Sequence, residues 1–532
     1  MPSWLKDAVF YEIYPQSFRD TNGDGIGDIP GIEEKLDYIK ELGCNALWIN
    51  PCYDSPFHDA GYDVRDYKKV APRYGTNDDL VRLFREAHAR GIRVLLDLVP
   101  GHTSEEHPWF LESKKLAPNE YTKRYIWTDH WLAATPGHPY IAGECERPAC
   151  YMLNFFKCQP ALNYGFKDPI YPWQSATDSP EARATIEAVK DVMRFWLGKG
   201  CDGFRVDMAD SLVKDDDEVK SGTCAIWREI RQMLDAEYPE AAIISEWSNP
   251  VLALNSAGFH MDFYLDHRGN GYNTLFRDYE NYPQEGMLSD HSFFRADGSL
   301  TDPNGRSDVL RFLDDYLPKL AATRGRGYIS FISCNHDTRR PRYTLSDREL
   351  QVAYLCLYTM PGVPFVYYGD EIGMRYQELP TKEGGYDRTG SRTPMQWNSG
   401  KNLGFSDAEP SELYLPVDPA PDAPTAEKAM ADEGSLYHTV KKVLQLRHAH
   451  PALQADGELE ILYAQREQFP FVYARIGEGE RLTIAVNPSL MSTTIYLPVK
   501  LAEPLYVIGE VTAVVEGEGV LLTMGPQSAA IF

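Results

Sequence analysis

The sequence predicts an α/β fold: a (β/α)8 TIM barrel with a subdomain inserted after strand 3 and a C-terminal antiparallel β-domain. Three observations lead there. Eight short β-rich runs alternate with amphipathic helical stretches over most of the 532 residues, the pattern of parallel βα units. Several runs are apolar without alternation, as strands covered on both faces are. The last part of the chain changes to alternating or β-branched segments with Gly and Asn at the turns.

The expected barrel strands are 9–14, 46–50, 93–99, 203–208, 243–246, 259–265, 328–333 and 364–368. Helices between them carry start and stop signals. Pro30 opens one and Gly43 closes it, with Ile32, Leu36, Ile39 and Leu42 as its apolar stripe. Thr76 caps the next, which buries Leu80, Leu83, Phe84 and Ala87 and stops at Gly91. Ser179-Pro180 starts another that runs to Gly200. Residues 103–170 are rich in Trp, Tyr, Pro and His without a helical period and read as an irregular subdomain over the barrel mouth. A second excursion, 372–432, follows the eighth strand, then a helix over 435–448. Strands at 458–463, 471–476, 482–486 and 494–497 mark the β-domain. The division is therefore 1–102 and 171–450 for the barrel, 103–170 for the insertion and 451–532 for a C-terminal β-sandwich.

Composition excludes some partners. With 53 basic and 78 acidic residues the net charge is −25, which repels nucleic acid and anionic membrane surfaces but not a neutral substrate. No apolar run is long enough to span a bilayer. The start of the chain lacks a basic region followed by an apolar stretch, so a cytoplasmic location is expected. Nine cysteines, several in apolar runs, suit free thiols in a reducing compartment. Cys145, Cys150 and Cys158 cluster without the paired spacing of a zinc site.

Active sites of such barrels lie at the C-terminal strand ends. On strand 4, Arg205 and Asp207 are two apart and face the same side, into the mouth. A carboxylate beside a fixed guanidinium is expected to keep a low pKa and stay ionised, as a nucleophile requires. Glu246 on strand 5 stands beside Trp247 and near other acids, which raises the pKa as a general acid requires. Strand 7 ends in Asn335-His336-Asp337, and strand 3 supplies Asp97 and then His102. Each acid alone reads equally well as solvated rim. The set of three carboxylates, two histidines and an arginine points to glycosidic bond cleavage.

These residues stand in motifs: DLVPGH at 97–102, QPALN at 159–163, GFRVD at 203–207, EW at 246–247 and NHD at 335–337. In this order they resemble glycoside hydrolase family 13, the α-amylase family, over essentially the whole chain. The resemblance implies Asp207 as nucleophile, Glu246 as acid/base and Asp337 as transition-state stabiliser. It implies that His102, Arg205 and His336 line the subsite of the reacting glucose and that Tyr62 stacks on it.

Further features resemble the oligo-1,6-glucosidase, α-glucosidase and trehalose synthase branch. Asp20, Asn22, Asp24, Ile26 and Asp28 stand at alternate positions with Gly between them, a spacing that suits a hard cation such as Ca²⁺. Position twelve is Gly31, so this is not an EF-hand loop, and an acidic turn is the alternative. The branch carries a calcium loop here, so the resemblance implies a structural Ca²⁺. Asp59 and Arg392 match the pair that grips the terminal glucose in exo-acting members. Three departures stand out: Gly101 replaces the Asn usual before His102, Ala161 replaces an Asp, and Met208 replaces the Val or smaller residues usual after the nucleophile.

The expectation is a retaining, exo-acting α-glucosidase for short α-glucosides of the maltose or isomaltose type, able to transglycosylate. A trehalose synthase or sucrose isomerase uses the same carboxylates and stays open as an alternative, as do linkage preference, chain-length range, calcium affinity and oligomeric state. A non-catalytic carbohydrate-binding relative is disfavoured because all three carboxylates are present.

Overall fold

A computed structural model describes residues 1–265, 270–276, 292–295, 308–466 and 468–532. Every candidate site residue named above lies among them. The barrel strands are β1 (Phe10–Ile13), β2 (Ala46–Ile49), β3 (Arg93–Leu98), β4 (Gly203–Val206), β5 (Ala242–Ser245), β6 (Met261–Phe263), β7 (Tyr328–Ser330) and β8 (Phe365–Tyr367). They pair in parallel in the order β7-β6-β5-β4-β3-β2-β1-β8. A parallel bridge from Ile332 to Phe365 joins β7 to β8 and closes the ring. All eight runs expected from sequence are present. Each is shorter at its C-terminal end, although Asn50, Asp207, Glu246 and Tyr368 still donate a backbone N–H to the neighbouring strand.

The barrel interior is filled, not open. Phe10, Trp48, Leu95, Ile244, Met261, Phe263 and Phe365 form one buried cluster, with the Phe10 and Phe365 rings stacked at 4.4 Å. That plug gives the strand ends a fixed floor.

The helix signals hold with one difference. Thr76 makes a capping box with Asp79 at the head of the helix Asn77–Ala89, and Ser179 caps Pro180–Leu197. Ser435 caps Leu436–Ala449. The helix expected between Pro30 and Gly43 is two, Ile29–Glu34 and Leu36–Leu42. Lys35 at the break lays its ammonium over the Trp397 ring, 4.5 Å from its centre. Gly43 ends the second helix at φ 108°, a conformation only glycine takes easily.

Within 103–170 the structure has a short helix, Pro108–Ser113, and a hairpin of Tyr140–Ala142 with Cys150–Met152. Phe110 packs on Tyr151 and Trp127 at 5.0 and 5.9 Å, which replaces helical periodicity as the source of order. The segment is tied to the mouth by a bridge between His102 and Ala161 and by Tyr164, whose hydroxyl donates to Pro100 O at 2.7 Å.

At the C-terminus lie β9 (Glu458–Tyr463), β10 (Phe471–Gly477), β11 (Glu480–Asn487), β12 (Thr493–Leu497), β13 (Tyr506–Ile508), β14 (Val511–Glu516), β15 (Gly519–Met524) and β16 (Ser528–Ile531). Five form the antiparallel sheet β9-β10-β11-β16-β13 and three the sheet β12-β15-β14. Val472 and Ala485 of the first sheet share a buried cluster with Ile495, Leu497, Leu522 and Met524 of the second. None of the nine cysteines is in a disulfide. Among the described residues no helix is long and apolar enough to cross a membrane.

Candidate active site

The ladder continues one residue past β4 and β5. Asp207 N donates to Leu98 O at 2.9 Å, and Glu246 N to Val206 O at 3.0 Å. Both carboxylates are thereby anchored by rigid sheet at the mouth. Asp337 arrives differently. Asn335 Oδ1 accepts from Asp337 N at 2.9 Å, a turn closed by an asparagine side chain.

One buried guanidinium organises the first group. Arg205 is 1% exposed. Its Nη1 donates to Asp97 Oδ1 at 3.0 Å and to Asp207 Oδ1 at 2.9 Å, and its Nη2 pairs with Glu246 Oε2 at 2.9 Å. Three carboxylates share a single positive charge. The low pKa expected for Asp207 is therefore not what the structure supports: burial pushes it up to about 7, and Asp97 opposes the pull of Arg205. Glu246 is also pushed up to about 7, by burial first and then by Asp207 and Asp337, as expected of a general acid. Asp97 rises to about 6 by burial despite Arg205. One guanidinium cannot keep three buried acids ionised.

Asp337 is the opposite case. Burial alone would raise its pKa, but Arg388 Nη1 and Arg392 Nη2 reach its Oδ1 at 2.8 and 2.9 Å, and it is held well below the carboxylate range. The neighbouring His336 is the largest influence in that direction, ahead of the two arginines. Burial and the arginines around it keep the imidazole itself neutral. Its Nδ1 lies 2.9 Å from Glu12 Oε1 and its Nε2 is 2.8 Å from Tyr62 Oη.

Tyr62 stacks on His336 at 5.3 Å and 10° and donates to Asp97 Oδ2 at 3.1 Å. The loop presenting it is braced by buried Asp63, which accepts from His58 N, Asp59 N and Ser55 Oγ at 2.9–3.0 Å. Both ring nitrogens of His102 are engaged by protein, Nε2 with Tyr62 O and Nδ1 with Asn154 Nδ2, each at 3.1 Å.

Asp59 and Arg392 are both buried, without a hydrogen bond between them. Gln159 donates to Asp59 Oδ2 at 2.6 Å, and Arg388 stands 4.0 Å from its other oxygen. Arg392 instead binds Asp337 and, through Nε, His336 O at 2.8 Å. Burial raises Asp59 to about 6. The Nη1 of Arg392 is buried without a partner among the described residues.

Sequence reasoning did not assign Glu12, Asp63, Arg388, Asn154 or Gln159 to the site. Gln159 stood inside a quoted motif, and Asp63 directly follows Tyr62. Arg388 had only its spacing of one helical turn before Arg392, and Glu12 looked like any residue of an apolar strand. A cavity of about 550 Å³ lies between the helix Val309–Thr323 and residues 455–459 and includes none of these residues.

The loop 20–28 carries donors of the right chemistry for a hard cation. Asp20 Oδ1 accepts from Asn22 N and Gly23 N, and its Oδ2 from Gly25 N, at 2.7–3.0 Å. Asp28 accepts from Thr21 N and caps Gly31 N, while Asn22 and Asp24 accept from Asp24 N and Ile26 N at 2.9 Å. The side-chain oxygens are thus turned to the loop's own N–H groups. Among the described residues no three His, Cys, Asp or Glu side chains are placed to hold a metal ion.

Comparison with known proteins agrees with this geometry. A trehalose synthase/amylase of Mycobacterium tuberculosis is 32% identical over 520 residues, covering 91% of this chain and 82% of its own. An oligo-1,6-glucosidase of Heyndrickxia coagulans is 32% identical, covering 92% of this chain and 93% of its own. The isomaltulose synthase of Protaminobacter rubrum superposes with a TM-score of 0.81 at 26% identity, covering 100% and 99% of the two chains. The alpha-amylase catalytic domain matches residues 12–456. Eight parallel strands, carboxylates at the ends of strands four, five and seven, and this match together make the chain a member of the alpha-amylase family, glycoside hydrolase family 13.

Proposed function

We propose that this protein is a retaining, exo-acting α-glucosidase of short α-glucosides. The observation that carries the reading is the pair Asp207 and Glu246 on the two terminal nitrogens of one buried guanidinium, beside a pocket end built from Asp59, Arg388 and Arg392. Asp207 attacks the anomeric carbon while Glu246 protonates the leaving oxygen. Glu246, now a carboxylate, takes a proton from water, which displaces Asp207 and releases α-glucose. A sugar in place of water gives transglycosylation. Asp337, kept ionised by two arginines, sits where positive charge develops on the sugar ring. The unpartnered Nη1 of Arg392 is a donor for a hydroxyl of the terminal glucose, and Tyr62 provides the face on which it stacks. His102 and His336 line the same subsite, with His102 also steadying the Tyr62 backbone.

NMR of the first product formed from maltose or isomaltose tests the reading; an initial β-anomer would overturn retention, and rapid starch liquefaction would overturn exo action. The trehalose synthase relative and isomaltulose synthase neighbour favour one second reading, transfer of glucose within an enclosed pocket. Trehalose from maltose, or a rearranged disaccharide from sucrose, would decide for it.

The pH profile follows from the shared guanidinium. Activity needs Asp207 ionised and Glu246 protonated, and both stand near 7, so kcat/KM is expected to be bell-shaped with limbs on either side of pH 7. Asp97 raises Asp207. Asp97→Asn should therefore move the acidic limb to lower pH, and a limb that stays in place contradicts the charge-sharing account.

The same reading gives the loop 20–28 a structural Ca²⁺, held by Asp20, Asn22, Asp24, Asp28 and the Ile26 carbonyl. Its support is the donor set and the mutual repulsion of Asp20 and Asp28, which, after burial, helps raise Asp28. The ion supplies a cross-link and no chemistry. Millimolar Ca²⁺ should raise the Tm of chelator-treated protein by a few degrees, roughly 1 kcal/mol or more; an unchanged Tm leaves the loop an acidic turn. The division at 102/103, 170/171 and 450/451 and a cytoplasmic location, supported by nine unpaired cysteines, belong to this proposal.

A further inference from the structure

Met208, directly after Asp207, has φ 43°, the left-handed region that side chains rarely adopt. Its N–H donates to Glu246 Oε2 at 2.9 Å. The leaving group departs beside the acid that protonates it, so Met208 borders the leaving-group side of the pocket. Asn154, from the inserted segment, reaches the Met208 thioether, with Nδ2 3.8 Å from Sδ.

Asn154 is not free to turn. Lys214, a buried lysine, donates from Nζ to Asn154 Oδ1 at 3.0 Å and to Ser211 O at 2.7 Å. Asn154 Nδ2 donates to His102 Nδ1. The Tyr62 carbonyl that faces His102 Nε2 can only accept, so the imidazole proton is on Nε2 and Nδ1 has its lone pair for the amide. Donors therefore run one way, from Lys214 to Asn154 to His102 to Tyr62, and this order sets which end of the amide faces Met208. Gly101 provides the room: a Cβ there would lie 2.7 Å from Asn154 Nδ2, too close without a shift. A side chain at 101 would force the Asn154 amide to shift from this place.

We propose that Asn154 is a positioning residue that determines leaving-group specificity. Locked by Lys214 in the space left by Gly101, it holds the Met208 side chain and thereby shapes the pocket beyond the reacting glucose. This rests on the glucosidase reading of Asp207 and Glu246. On the glucose side, the His102 Nε2 bond to Tyr62 O is one that Asn154 does not itself make.

The test uses Glu246→Gln protein, titrated calorimetrically with glucose, maltose, isomaltose and sucrose. Adding Asn154→Ala should weaken at least one disaccharide about tenfold more than it weakens glucose. Gly101→Ala, which displaces the amide without removing it, should reproduce the same selective loss. In otherwise wild-type enzyme, Asn154→Ala should raise KM for that disaccharide by a larger factor than KM for p-nitrophenyl α-glucoside. Weakening of glucose and disaccharides together would mark a general structural role and overturn the proposal, as would no change in either. Failure of the Glu246→Gln protein with Asn154 intact to bind any of these sugars would overturn the glucosidase reading itself, and this inference with it.

Discussion

Asp207→Asn is expected to lower glucose release from maltose or isomaltose by about four orders of magnitude or more, with little change in stability. The substitution keeps size and shape. The amide oxygen still accepts from Arg205 Nη1, and the backbone bond to Leu98 is untouched. What is lost is the carboxylate that forms the bond to the anomeric carbon, for which an amide is a very weak substitute. Burial already makes ionised Asp207 costly, so neutralising it should not lower Tm. Turnover within tenfold of wild type would remove Asp207 from the nucleophile role, whereas a collapse in Tm would show that its charge is needed for folding.

Arg205→Met is expected to abolish activity and also to destabilise the protein by about 3–5 kcal/mol, the usual effect of removing one partner from a buried charge cluster. Asp97, Asp207 and Glu246 would then share the barrel mouth with no guanidinium between them. Their folded pKa values already lie above the ordinary carboxylate range and would rise further. For an acid raised in the folded state, stability is full below the unfolded pKa, near 4, and is lost as pH rises through the folded pKa. The Arg205→Met deficit should therefore be larger at pH 8 than at pH 5. Denaturant titrations at the two pH values check this; an equal deficit at both would mean that lost packing, not unpaired charge, is the cause.

Much of the fold was legible because barrel strands announce themselves as short apolar runs, and capped helices as Thr76, Ser179 and Ser435 do. Helix continuity through Lys35 was not legible, since its break coincides with a contact to Trp397, more than 350 residues away in sequence. The site shows the same division. Arg205 and Asp207 could be placed on one face by strand alternation alone. Arg388 could not be found, because it stands on a short 3-10 helix, Tyr386–Ser391, within the long excursion after β8, whose path no local pattern dictates. Glu12 has the neighbours of an ordinary buried strand residue, and only closure of the ring brings it to His336. Asn154 precedes Phe155 and Phe156 in the inserted segment, and nothing nearby in sequence indicates that it meets Gly101, Met208 and Lys214.

By itself the sequence determined which kind of fold this is and which acids stand at its strand ends, because period and motif order are local properties. It also determined the absence of a side chain at 101. The tertiary structure alone decided how charge is distributed among those acids. Three carboxylates on one arginine are raised, while one carboxylate on two arginines is depressed, and the difference lies in which cations the fold places nearby. Spacing predicted a low pKa for Asp207 from its neighbour two positions away. Burial first, and then Asp97 and Asp59 from elsewhere in the chain, outweigh that neighbour, and no pairwise reading of the chain contains them.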